Sequence, residues 1–69
     1  MVKKGDRAIG FYNDLEYEGI VEIADHMSLG RSYTILRSTK QQHGQEAGVA
    51  LWFYPENVRL AEPAEPLPW

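Results

Sequence analysis

Apolar and polar residues alternate most clearly over Val49 to Tyr54. Val49, Leu51 and Phe53 fall on one face, taken as inward, and Ala50, Trp52 and Tyr54 fall on the outward one. That period of two predicts a half-buried strand. Pro55 ends it, because proline has no N–H to give to a ladder. Glu56-Asn57 suits one short helical turn, and Val58-Arg59-Leu60 reads as a last short strand. The same period recurs upstream. Ala8 to Tyr12 puts Ile9 and Phe11 on one face and Tyr12 on the other. Gly19 to Ala24 puts Val21 and Ile23 opposite Glu22. Ser32 to Arg37 is rich in β-formers and puts Tyr33 and Ile35 together. The pattern predicts an all-β fold of five short strands, a small and partly open barrel with a 3₁₀ turn before the last strand.

The connections are polar. Lys3-Lys4-Gly5-Asp6-Arg7 carries a glycine turn signal, and Asn13-Asp14 begins a loop. Leu15-Glu16-Tyr17 is acidic and amphipathic and makes a helical turn at most. Asp25 to Gly30 reads as a connection, and Ser38 to Gly48 as a long, mobile hairpin loop. Residues 1–61 therefore form the barrel. Residues 62–69, with Pro63, Pro66 and Pro68, form an extended proline-rich tail whose Leu67-Pro68-Trp69 end is a candidate to dock on an aromatic groove, its own or a neighbour's.

Size and charge narrow the function classes. A chain of 69 residues is one domain, and at that size only about 60% of the unfolded surface is buried, so stability is marginal and leaves room for a partner or a homo-oligomer. There is no cysteine, hence no disulfide framework or thiolate metal site. The first residues hold no apolar signal-peptide core, and no apolar run approaches the ~20 residues of a membrane helix, so a cytoplasmic protein is expected. Net charge is −3. Asp14, Glu16, Glu18, Glu22 and Asp25 precede Arg31, Arg37 and Lys40, so acidic and basic strands are expected to pair across their exposed faces. The sharper alternative is a bipolar surface that steers a charged partner. Three spread cations in an acidic chain make nucleic-acid binding a lesser expectation.

Gly5-Asp6-Arg7, Glu18-Gly19-Ile20-Val21, Tyr33-Thr34-Ile35 and Tyr54-Pro55-Glu56-Asn57-Val58 together resemble an SH3-like barrel over about residues 5 to 61. Two families share that barrel. In the peptide-binding SH3 domain, the resemblance implies a groove in which Tyr12, Trp52, Tyr54, Pro55 and Asn57 play the aromatic and 3₁₀-turn parts. The acidic Asp14 to Glu18 loop would then meet a basic ligand residue. A tandem tryptophan is missing, and Val58 stands where that family has tyrosine after the asparagine. In the plasmid-borne type II dihydrofolate reductase, the resemblance implies self-assembly of barrels. Leu51-Trp52-Phe53-Tyr54 replaces that family's Val-Gln-Ile-Tyr pore run, and a tryptophan there obstructs the pore, so no reductase activity or cofactor is implied.

Other chemistry is thin. His26 and His43 lack a metal-presetting i, i+4 spacing, Ser32 and Ser38 lack a nucleophile elbow, and Gly44-Gln45-Glu46-Ala47-Gly48 lacks a phosphate-loop lysine. The aromatics Tyr12, Tyr17, Trp52 and Tyr54, all assigned outward, are the functional lead, since tyrosine and tryptophan bury large area with few rotors. Packing beneath the long loop or tail is the competing role. The expected function is a non-enzymatic protein-binding module, a small bacterial or phage-type accessory protein. Its expected site is Tyr12, Asp14, Glu16, Tyr17, Trp52, Tyr54, Pro55 and Asn57. The alternatives are a homo-oligomer and a nucleic-acid-binding barrel that uses Arg31, Arg37 and Lys40.

Overall fold

The computed structural model describes residues 2–61, and the expected proline-rich tail lies outside the described residues. Five antiparallel strands follow one another: β1 (Arg7–Tyr12), β2 (Leu15–Ser28), β3 (Arg31–Ser38), β4 (Ala50–Phe53) and β5 (Val58–Leu60), with a 3₁₀ turn at Pro55–Asn57 before β5. Their order in the sheet is β4-β3-β2-β1-β5, and no ladder among the described residues joins β4 to β5, so the sheet is not closed. The all-β class, the strand count and the turn match the sequence pattern.

The core is small. Ala8, Val21, Leu36 and Phe53 form it, with Val2, Tyr17, Ala24, Leu51 and Val58 packed around them. β1 and β4 are not neighbours in the sheet, yet a Cβ on Gly10 would lie 2.5 Å from the Phe53 ring. The sheet curls until β1 crosses directly over that ring, and only glycine permits the approach. Hence the buried positions of β1 are Ala8 and Gly10, while Ile9 and Phe11 are half-buried on the other face. The larger side chains suggested the core face, but close backbone crossing decides it.

β2 also departs from expectation. It starts at Leu15, where a helical turn was possible, and runs on to Ser28, through the segment read as a connection. The register against β3 slips between Val21 and Ile23 and again between Ile23 and His26. A slip transfers the following residues to the opposite face. Val21 is therefore in the core, and Ile23 opposes Ile35 on the far side.

The 39–48 segment is folded against β2. Gln42 and Gln45 exchange backbone hydrogen bonds of 2.9 and 2.8 Å around His43-Gly44, both at positive φ. The Gln42 amide then reaches β2. Its Oε1 accepts from Glu18 N–H at 2.8 Å, and its Nε2 donates to Glu18 O at 2.8 Å and to Ser38 Oγ at 2.9 Å. His43 Nε2 donates to Glu16 O at 2.7 Å. β3 pairs with β2 only from Gly19 onward, so Glu16 and Glu18 would otherwise present a bare strand edge. Side chains supply what a neighbouring strand would.

Candidate binding groove

The β1–β2 hairpin turns through Asn13 and Asp14, whose φ values are 51° and 63°. Two successive left-handed residues make a tight turn that Asn and Asp tolerate better than other side chains. It holds Tyr12 and Asp14 at the hairpin tip, facing β4. Pro55 ends β4 and starts the 3₁₀ turn, where Asn57 N–H donates to Tyr54 O at 2.8 Å and fixes Tyr54 and Asn57 beside each other.

A groove of about 600 Å³ lies between these elements, lined by Phe11, Tyr12, Asn13, Asp14, Tyr33, Trp52, Phe53, Tyr54 and Asn57. A second depression of about 260 Å³ continues it past Tyr12 and Trp52 to Tyr17, Gln45, Ala50 and Leu51. Tyr12 is 61% exposed, Trp52 49% and Tyr54 37%. Tyr33 joins the rings of Trp52 and Tyr54. Tyr33 stacks on Tyr54 with centroids 5.6 Å apart, and Trp52 meets Tyr33 edge-on at 5.4 Å and His26 at 5.1 Å. The Arg31 guanidinium covers the Tyr54 ring at 4.2 Å.

Five expected site residues, Tyr12, Asp14, Trp52, Tyr54 and Asn57, thus line one groove. Three do not. Tyr17 borders only the smaller depression; it is half-buried, 5.8 Å from Phe53 and 4.8 Å edge-on from His43, beneath the 39–48 segment. It shares the parity of Gly19 and Val21, so extending the β2 alternation backward would have assigned it to the core face. Glu16, opposite Phe11 in the β1–β2 ladder, lies 3.8 Å from Arg59 and does not line the groove. Pro55 lines a different cavity, of about 790 Å³, with Val2, Ala24, Thr34, Val58 and Leu60. The Thr34 hydroxyl there already donates to Ala24 O at 3.0 Å. Sequence reasoning missed Phe11, Asn13, Tyr33 and Phe53. Tyr33 was grouped with Ile35, and both do lie on the Trp52 side, but Ile35-Leu36 offers two adjacent apolar residues and periodicity alone does not choose between them.

Charge is largely internally paired. Arg37 binds both Glu22 oxygens, at 2.8 and 2.7 Å, and also Gly48 O at 2.8 Å. Arg7 bonds Glu18, and Lys40 stands 3.7 Å from the same carboxylate. The Arg7 hydrogen bond, aided by the charges of Arg7 and Lys40 against a small burial cost, lowers the Glu18 pKa below its ordinary 4.5. The expected cross-strand pairing is therefore present. Arg31, Arg37 and Lys40 are each engaged with a different partner and form no common basic face. Asp14 makes no ion pair among the described residues.

No group of three or more metal-binding side chains occurs among the described residues. His26 packs on Trp52, His43 on β2, and Ser32 bonds Asp25. No described helix is long and apolar enough to cross a membrane.

No family model, curated protein or solved structure matches the chain. What the site can do thus follows from its own geometry. It offers wide aromatic walls, one acid at the rim and an elongated floor, an arrangement suited to holding an extended segment.

Proposed function

We infer that the chain is a non-enzymatic protein-binding module that holds a segment of a larger protein in the groove between the Tyr12–Asp14 hairpin tip and Trp52–Tyr54. The observation that carries this reading is the convergence of Tyr12, Trp52 and Tyr54, from two separate hairpins, on one elongated depression while each residue keeps over a third of its surface exposed. Exposed aromatic area of this kind is costly to leave in water and is what binding anchors are made of. Asp14 at the rim favours a basic residue on the partner. The SH3-like resemblance is consistent with the strand order and the turn, and with a small cytoplasmic accessory protein of bacterial or phage type.

Self-association is the second reading. It is favoured by Met27, 64% exposed, and Leu29, 97% exposed, at the β2–β3 tip. The nucleic-acid reading loses support, since its three cations are occupied separately.

The test is capture of partners by the intact chain and by Trp52→Ala, with circular dichroism to establish that both are folded. The expected result is a specific partner held by the first and weakened about 30-fold or more in the second, the effect of removing an anchor worth ~2 kcal/mol. A partner retained at full strength by Trp52→Ala removes the groove from consideration. A single species of twice the chain's mass in light scattering would support self-association.

A further inference from the structure

Four consecutive residues of β4, Ala50 to Phe53, line the smaller depression, and Trp52, Phe53 and Tyr54 line the larger. Consecutive strand side chains point to opposite faces. A depression that takes in both sets follows the strand's edge, not one of its faces. β4 is terminal in the sheet, and its outer edge carries no partner strand among the described residues. The ladder identifies the backbone groups on that edge. Ser38 N–H donates to Val49 O at 2.9 Å, which turns the Val49 carbonyl toward β3, while Gly48 N–H donates to Ser38 O at 2.8 Å. Antiparallel alternation then directs Leu51 and Phe53 toward β3, and the N–H and C=O of Ala50 and Trp52 outward, along the groove.

The fold treats its edges differently. The exposed stretch of β2 is covered by Gln42 and His43. β5 is three residues long and carries Arg59. β4 is also short, at four residues, and a bulge at Gly48–Val49 opposite Ser38 adjoins it, but Ala50–Phe53 itself holds no lysine, no proline and no bulge. Across the groove from it stands Asp14, a carboxylate without an ion-pair partner among the described residues.

We propose that the groove takes its partner as an added strand. An extended segment of another protein pairs its backbone with Ala50 and Trp52, sets alternate apolar side chains against Tyr12 and Tyr54, and directs a lysine or arginine to Asp14. The proposal rests on the groove being the binding site, and adds how the segment is read. Main-chain pairing supplies affinity, alternate pockets supply specificity, and proline is excluded from the pairing positions because it lacks the donor.

The experiment selects binders from a displayed library of random twelve-residue peptides on the full chain. Selected sequences are expected to alternate apolar with other residues, to carry a lysine or arginine, and to lack proline at every second position. N-methylating alternate amides in one phase should weaken binding about tenfold per lost hydrogen bond or pair of bonds, whereas the other phase should leave it unchanged. Ala50→Pro, which removes an outward N–H that β3 does not use, should weaken binding comparably. The N-methyl series alters only the peptide, so it stays decisive if that variant folds poorly. Proline-rich selected sequences, indifference to N-methylation in both phases, or no selected sequence at all would overturn strand addition. Loss of binding in Trp52→Ala with indifference to N-methylation would keep the groove and discard the added strand, and indifference to both would discard both. A dimer dispersed by Ala50→Pro would assign the edge to a second copy and likewise overturn the proposal.

Discussion

Replacing Gln42 by alanine tests whether a side chain is substituting for a strand. The amide makes three hydrogen bonds, of 2.8, 2.8 and 2.9 Å, two of them to the backbone of Glu18. Each bond contributes on the order of 0.5–1.5 kcal/mol net, and a donor left without a partner costs ~1–3 kcal/mol. The site is only part-buried, so water regains some of this, and the expected loss is about 2 kcal/mol. A chain of this length is held by only about 3–10 kcal/mol, so the loss is a large share of the whole. It corresponds to a fall in Tm of about 8–16 °C. Urea unfolding followed by tryptophan fluorescence gives the midpoint, and hydrogen exchange gives the local effect, with the Glu18 amide losing most of its protection. Gln41→Ala, one residue away and exposed, is the control and should be silent. Gln42→Glu keeps an acceptor for Glu18 N–H but brings a carboxylate against Glu18 O, and should be no better than alanine. If Gln42→Ala and Gln41→Ala unfold at the same urea concentration and the Glu18 amide stays protected, the segment does not hold the edge and the reasoning fails.

Gly10→Ala would place a methyl group 2.5 Å from the Phe53 ring and should cost ~1–3 kcal/mol by overpacking. Adding Phe53→Leu should recover part of that loss, and a double mutant no more stable than the sum of the two singles would count against the crossing. Leu29→Asn should stabilise by ~1 kcal/mol, because Leu29 sits at φ 53° in a two-residue turn where asparagine is favoured; a lower unfolding midpoint would contradict it. The Glu18 carboxyl, held below its ordinary 4.5 by Arg7, contributes stability that is complete above that value and is lost as pH falls through the lower folded pKa. Arg7→Gln should therefore narrow the stability gap between pH 7 and pH 3, and a Glu18 carbon-13 titration midpoint at or above 4.5 in the parent chain would refute the pairing. Trp52→Ala, half-exposed in the parent, should change stability by less than ~1.5 kcal/mol, which keeps its binding effect interpretable.

Where one face of a strand meets the core and the other meets water, the fold was legible in the residues. Val49 to Tyr54, Pro55 and Val58-Arg59-Leu60 all read correctly because alternation and a missing donor leave little choice. Legibility failed where backbone geometry or polar side chains decide. Ala8 and Gly10 are core positions because of a crossing that no local pattern reveals. The slips in β2 break the period that identifies a strand, so its second half read as a connection. The 39–48 segment is polar throughout, and hydrophobic periodicity is blind to an amide that imitates a backbone. Of the candidate site, Trp52 and Tyr54 are legible from outward parity, whereas Tyr12 shares the parity of Ala8 and Gly10 and is exposed because it ends β1 beyond the core. Tyr17 was misplaced because its segment was not recognised as part of β2.

The strand order contains one ladder between strands distant in sequence, β1 with β5; every other pair is joined by its own hairpin. Closing it brings Gly10 against Val58 across most of the described chain, so its loop entropy falls due only after the hairpins have formed. Tyr54 and Asn57 immediately precede β5, and their place in the groove is set when β5 docks. The groove is thus among the last features to assemble, and a segment bound there should slow unfolding far more than it speeds folding.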